Sequence, residues 1–391
     1  MSLEVVSLGC RLNLSESERL RAMLPQDQNL VVINTCAVTA GAVRQTRQAI
    51  RKARRANPEA RLLVTGCAAE VERDALSAMP EIDGFVANAG KLDPRNWNVA
   101  VGPPSVSQAL HSRAFVAVQN GCDHACTFCV IPQGRGPSRS LPIPEVLREV
   151  EAHLALGAGE VMLTGVDLTS WGHDLIGSPA LGRLVTAILG AFPALTRLRL
   201  SSLDGIEIDP LLFDLIAGDH RVMPHVHLSM QHGSDLILKR MKRRHLRSDA
   251  VDLVLKLKER RADIAVGADL IAGFPTENEA HHADNLSIIA ELDIVHGHVF
   301  PYSPRPGTPA ARMPQLAAPL IKQRAAELRA AVGEQRSAWL AAQIGRPLSV
   351  LAERDGTGHA PNFARVQLPP ATTAGSTVTV TPTRIIEGLL A

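Results

Sequence analysis

Three times near its N-terminus the chain closes a short apolar run on a cysteine: VVSLGC at Cys10, LVVINTC at Cys36 and RLLVTGC at Cys67. Runs this apolar have no polar face to turn toward water, so they read as strands buried on both sides, as in a parallel sheet. Helical patterns lie between them. One runs from Ser15 to Met23, with Ser15 as cap and Glu18 completing a capping box. A second runs from Ala40 to Ala56, stopped by Pro58, and a third from Ala68 to Ala78. FVA at Phe85 reads as a fourth strand. In such a sheet every strand ends at one edge, the edge where open α/β folds bind ligands. The placement predicts that Cys10, Cys36 and Cys67 converge there. Any one of them alone would read as a core cysteine.

A second alternation starts at Ala114. Apolar runs at 114–119, 160–165, 197–202, 225–230, 264–273 and 294–300 alternate with helical segments. Six βα units predict a barrel or part of one. An Ala-rich helix follows from Ala318 to Ile344, and the Val-, Thr-, Pro- and Gly-rich tail reads as four or five short strands. The expected class is α/β. An N-terminal parallel-sheet domain spans 1–100, a partial (β/α) barrel 114–316, a connecting helix 317–344 and a small all-β barrel 345–391. Asn88 to Arg113, with Pro103 and Pro104, reads as a linker.

Composition narrows the function classes. The 391 residues hold six cysteines, all in the first third, which is unlike a short, cysteine-dense secreted scaffold. A net charge of +2 excludes a histone-like polycation but not local basic patches. No signal-peptide-like start and no long uncharged apolar run is present, so a cytoplasmic protein without a membrane span is expected. Clustered thiols in a reducing compartment point to metal or redox chemistry.

The other three cysteines sit together in NGCDHACTFCVIP, where Cys122, Cys126 and Cys129 are spaced C-x3-C-x2-C directly after a strand. Three soft thiolates on one loop suit three irons of a [4Fe–4S] cube and leave the fourth open. A zinc site normally closes with a fourth ligand, for which His124 is the awkwardly placed local offer. A zinc knuckle or buried structural cysteines are the plainer alternatives.

The triplet, with Phe128 before its last cysteine and a βα repeat around it, resembles the radical S-adenosylmethionine superfamily. Within it the chain is similar, over essentially its whole length, to the methylthiotransferases. SLGCRLNLSES, INTCAVT and VTGCAAE match their three dispersed cysteine motifs. RGPSRS, VGADLIAGFPTE and FPYSPRPGTPAA match later ones. The resemblance implies an N-terminal three-cysteine α/β domain, a central radical barrel and a C-terminal TRAM-like β-barrel. It implies two [4Fe–4S] clusters, on Cys122, Cys126 and Cys129 and on Cys10, Cys36 and Cys67, with S-adenosylmethionine at the open iron. The first triplet is then catalytic as well as metal-binding. A tRNA substrate, a sulfur donor and a reductant protein such as a flavodoxin or ferredoxin complete the expected partners.

LRLSSLD and HLSMQHGSDLILKRMKRRH look most like the branch that acts on threonylcarbamoyladenosine, with His232 a departure from its usual serine. Isopentenyladenosine of tRNA, or a ribosomal-protein aspartate, are the alternative acceptors. A non-catalytic iron–sulfur RNA-binding protein is the alternative of another class. Arg44, Arg47, Arg51 and Arg55 share a helix face, and Lys239, Arg240, Lys242, Arg243, Arg244 and Arg247 form a second basic cluster. Such clusters bind phosphates, or are merely solvated. Gly165, Ser201, Ser202 and Gln231, at strand ends, are candidate S-adenosylmethionine contacts. Arg135 and Arg139 carry forks suited to a phosphate or carboxylate. Asp167 has no assigned role, and His173, His225, His227, His296 and His298 show no metal spacing.

Overall fold

The computed structural model describes residues 3–100 and 112–391. Part of the linker read over 88–113 therefore lies outside the described residues. Its described start carries single 3-10 turns at Asn88–Gly90 and Pro94–Trp97. The chain forms two compact units. The first comprises Met1–Gln108, Gln119–Arg139 and Ser303–Ala311, and the second Ala109–Val118, Ser140–Tyr302 and Arg312–Ala391.

In the first unit Glu4–Ser7, Leu30–Thr35, Arg61–Gly66 and Gly84–Phe85 form a parallel sheet in sequence order. Every residue of Leu30–Thr35 is buried, as expected of a strand covered on both faces. The first helix, Arg11–Met23, starts four residues before the expected Ser15, with Cys10 at its N-cap. Beside Leu12 and Leu20 its buried residues are polar (Asn13, Ser15, Glu16, Ser17 and Glu18), so an apolar periodicity found its start too late. The helix Ala40–Ala56 has the expected bounds, capped by Thr39, whose side chain accepts from the Ala42 N–H. The third helix divides at Glu72 into Cys67–Val71 and Arg73–Ser77.

The second unit is built on parallel strands Arg113–Ala117, Glu160–Thr164, Leu198–Leu200 with Ser202–Leu203, His225–Gln231, Ala265–Ala272 and Ile294–Pro301. A break at Ser201 divides the array into sheets of three and four strands. Val116, Leu163, Leu198, Leu228, Ala268, Leu270 and Ile294 belong to one continuous buried core. The long helix Ala318–Ala341 adds Ala325, Leu328 and Val332 to it. The tail forms a mixed sheet of six short strands between Leu348 and Leu390, one more than the upper expectation.

At the N-terminal ends of the barrel strands lies a wholly buried carboxylate, Glu160. It accepts from Arg199 at 3.0 Å and Arg197 at 3.1 Å, and also pairs with Arg113. Burial alone would raise its pKa, but the three guanidiniums hold it well below the carboxylate range. Arg197 also donates to the carbonyls of His359 and Ser349, and Arg199 to that of Pro361. Phe363 stacks on His225 at 5.0 Å and lies 4.7 Å from the Arg199 guanidinium. The tail is thus fixed to the lower rim of the strand array.

Candidate metal centres

The parallel registers bring the ends of the first three strands level, with Ser7 beside Asn34 and Thr35 beside Gly66. Cys36 and Cys67 follow directly, and Cys10 leads into the first helix. Two glycines allow the close approach. Gly9 has φ +91°, and a Cβ there would lie 2.7 Å from the Cys36 sulfur. Gly66 has φ +92°, and a Cβ would meet the Thr35 backbone at 2.5 Å. Burial pushes the Cys36 thiol up to about 11 despite the Val38 N–H, and Cys10 and Cys67 raise it further. Cys67 is raised likewise by burial. Three mutually interacting soft donors, two of them held as thiols by burial, describe a site whose protons a metal displaces on binding. The residues fit a thiolate-held iron cluster.

Beside them lies a buried polar group. Arg135 is 4% exposed and forks onto both oxygens of Glu16 at 2.9 and 3.0 Å. Its remaining contacts are the side-chain carbonyls of Asn13 at 2.5 Å and Asn120 at 2.8 Å. Lys91, 1% exposed, pairs with Glu16 at 2.5 Å and donates to Asn34 at 3.0 Å. Burial would raise Glu16, but Lys91 and Arg135 override it and hold the carboxyl at about 2. Of the phosphate or carboxylate expected at the Arg135 fork, the structure has a carboxylate, Glu16, enclosed within the protein. Arg139 is exposed, and its side chain donates to the Arg135 carbonyl at 3.5 Å. Lys91 carried no signal in the sequence, because a lone lysine in a stretch without periodicity reads as surface.

The second triplet belongs to the same unit. Cys122, Cys126 and Cys129 are partly exposed. Backbone N–H groups of His124 and Ile131 point at the sulfurs of Cys122 and Cys129, both at 3.4 Å, an arrangement that favours thiolates. Gly121, φ +75°, admits the Pro137 carbonyl where a Cβ would clash at 1.9 Å. The helix Ile131–Arg135 leaves this loop and meets the dispersed thiols, a Cβ on Gly134 falling 3.2 Å from that of Cys67.

The remaining candidates lie in the second unit, at strand C-termini. Gly165 follows Glu160–Thr164, and Ser201 sits at the strand break. Ser202 and Ser229 share a hydrogen bond of 2.9 Å, and Gln231 ends its strand with φ +67°. Ser170 donates to Asp167 at 2.7 Å. Sequence reasoning missed two groups here. Asp204, held at about 2 against burial by His245, Arg243 and Arg244, anchors Arg243 at 2.9 Å, while Glu207 takes Arg244 at 2.6 Å. Asp269 bridges His227 at 3.0 Å and His298 at 3.3 Å, three donors within 4.8 Å of one another on adjacent strands. Period-two spacing across different strands hides such a set from a linear reading. His232, the departure from the family serine, accepts at Nδ1 from the Ser234 N–H, so its Nε2 carries the proton donated to Glu277 at 3.1 Å.

Of the basic clusters, Arg44 and Arg51 are exposed on their helix, with Arg51 3.7 Å from Glu81 and Arg47 3.9 Å from Glu72. The second cluster is largely engaged internally. Arg240 contacts Thr276, Arg243 and Arg244 contact Asp204, and Arg247 contacts Glu291, while Lys239 and Lys242 are exposed.

Residues 116–287 match the Radical SAM superfamily, and residues 2–87 match Uncharacterized protein family UPF0004. A solved radical S-adenosylmethionine methyltransferase, TsrM from Kitasatospora setae, has a similar fold: TM-score 0.52, 18% identity, 72% of this chain and 66% of that one. The class is thus a radical S-adenosylmethionine enzyme, which brings that cofactor and a [4Fe–4S] cluster. The chain is 44% identical to the threonylcarbamoyladenosine tRNA methylthiotransferase MtaB of Rickettsia prowazekii, over 93% of this chain and 91% of that protein. It is 34% identical to MtaB of Aquifex aeolicus, covering 83% and 86%. It is 32% identical to tRNA-2-methylthio-N(6)-dimethylallyladenosine synthase of Erythrobacter litoralis, covering 90% and 86%. Within the class, this chain belongs to the tRNA methylthiotransferase family. No helix among the described residues is long and apolar enough to cross a membrane.

Proposed function

We propose that this protein adds a methylthio group to carbon 2 of threonylcarbamoyladenosine next to the tRNA anticodon, using two [4Fe–4S] clusters. The observation that carries the reading is the pair of three-thiol sites in one compact unit of a chain 44% identical to MtaB. Cys122, Cys126 and Cys129 hold the radical cluster, and Cys10, Cys36 and Cys67 the second. When bound, the first supplies the electron that cleaves S-adenosylmethionine and the second the sulfur that is transferred. Gly165, Ser201, Ser202 and Gln231 line the cofactor's place at the strand ends. The N–H groups of His124 and Ile131 hold two thiolates in position. Arg44, Arg47 and Arg51 meet tRNA phosphates, and the tail acts as a TRAM-like barrel. A flavodoxin- or ferredoxin-type reductant and a sulfur donor in the cytoplasm complete the reaction.

Reconstituted protein should hold about eight irons per chain. Cys36→Ser should leave about four and retain 5′-deoxyadenosine formation, whereas Cys126→Ser should abolish that product. Mass spectrometry of tRNA nucleosides from cells lacking the protein should show loss of the methylthio form of threonylcarbamoyladenosine. The relative that makes the dimethylallyl product sustains a second reading, isopentenyladenosine as acceptor. Loss of methylthio-isopentenyladenosine alone would establish it.

A further inference from the structure

The buried charges around Glu16 do not cancel. Lys91 and Arg135 contribute two positive charges against the single negative charge of Glu16, leaving one net positive charge in a region all but closed to water. Its position is set by the fold. Arg135 ends the helix whose Gly134 packs on Cys67. Lys91 is held by Asn34, whose side-chain oxygen lies 2.7 Å from where a Gly66 Cβ would stand, one residue before Cys67. Arg135 is in electrostatic reach of Cys67 and Cys10, and Lys91 of Cys67. A buried ion pair typically stabilises no better than apolar side chains of the same volume. A surplus cation is costlier still unless an anion answers it, and no carboxylate among the described residues other than Glu16 is recorded on either Lys91 or Arg135.

We propose that Lys91 and Arg135, tethered by Glu16, are electrostatic positioning residues for the dispersed three-thiol site: their surplus positive charge stabilises the anionic cluster held by Cys10, Cys36 and Cys67 and raises its reduction potential. The proposal rests on the reading of that triplet as a cluster site. Net charge near a cluster is one of the main determinants of its potential. The asparagines of this group, Asn13, Asn34 and Asn120, present only neutral oxygens to the two cations, so they fix geometry without cancelling charge. Lys91 and Arg135 would likewise favour any further negative charge brought to that site, since a fixed cation lowers its free energy.

The test uses the full chain in a background with Cys122, Cys126 and Cys129 all changed to Ala, so that any remaining iron belongs to the dispersed site. Iron content and the midpoint of an anaerobic, EPR-monitored redox titration are measured for that background and for two near-isosteric additions. Lys91→Met removes one positive charge and should move the midpoint to more negative values. Glu16→Gln adds a net positive charge and should move it to more positive values. Opposite shifts support the proposal, because a merely structural role would degrade both variants in the same way. Shifts of the same sign, or no shift, overturn it. If Lys91→Met does not load iron, the sign for Glu16→Gln decides alone, and Arg135→Lys should keep the background midpoint. A background that binds no iron refutes the cluster reading itself and is thereby distinct from failure of the electrostatic proposal.

Discussion

Glu16 and Glu160 are both buried carboxylates clamped by cations, yet the two clamps end on different things. Of the three arginines around Glu160, Arg197 and Arg199 reach on to backbone carbonyls of the C-terminal tail, and Arg113 reaches Glu353 at 3.3 Å. The two cations around Glu16 reach toward thiols. The added positive charge of the first clamp meets a second carboxylate, Glu353, and the tail carbonyls, whereas the cations around Glu16 meet no second carboxylate among the described residues. The difference teaches that a buried ion cluster is to be judged by what its unused charge faces. It is also testable. Glu160→Gln leaves the buried Arg197 and Arg199 without their carboxylate and should cost about 3–5 kcal/mol, with iron bound or absent. Glu16→Gln should cost a similar amount in metal-free protein and clearly less after reconstitution, when the cluster answers the cations. Anaerobic denaturant titrations of both variants in both states make the measurement. Equal costs for Glu16→Gln with and without iron would erase the distinction.

A finer contrast lies on one helix. Glu16 is held at about 2 by its cations, whereas burial pushes Glu18, two residues on, up to about 7 against a weak pull from Arg21. The Oε1 of Glu18 has no hydrogen-bond partner among the described residues. The folded protein therefore keeps a proton on Glu18 that the unfolded chain releases above about 4.5. Its contribution is favourable below about 4.5 and is lost as pH rises to about 7, a change on the order of 2 kcal/mol. Glu16 has the opposite sign, contributing above about 4.5 and losing that contribution as pH falls toward 2. Glu18→Gln should flatten the stability profile between pH 5 and 7, and Glu16→Gln should not. Weaker again, Phe363→Ala removes ring contacts to His225, His359 and Arg199 and should cost about 1–2 kcal/mol. Hydrogen exchange should localise the loosening to the tail rather than to the thiol-bearing unit.

The strands were legible in the sequence because buried parallel strands are apolar throughout, and the convergence of Cys10, Cys36 and Cys67 followed from strand direction alone. The start of the first helix was not legible, since between Leu12 and Leu20 its buried residues are Asn13, Ser15, Glu16, Ser17 and Glu18. Apolar periodicity has no purchase on such a face. Arg135 was legible as a special arginine but not as an internal one. Its partner Glu16 is 119 positions away, and only the tertiary fold shows whether a fork meets a phosphate or a carboxylate. The Asp269 set failed for a similar reason, as its members occupy three strands whose register is a property of the sheet.

Cations outside the protein should behave differently from those inside, and Arg44 supplies the smallest and sharpest form of the comparison. It is exposed on a helix whose neighbours Arg47 and Arg51 lie near Glu72 and Glu81. If it meets a tRNA phosphate, Arg44→Ala should weaken binding a few-fold at low salt and reduce the slope of log affinity against log salt by about one. The midpoint of the dispersed cluster should stay where it is, because solvent screens a surface charge over roughly 10 Å at 0.1 M salt. Lys91→Met should do the reverse, moving the midpoint and leaving the salt slope alone. Filter binding across a salt series, set beside the redox titrations, separates the two roles. An unchanged slope for Arg44→Ala would place the tRNA on another face, with the exposed Lys239 and Lys242 the next residues to substitute.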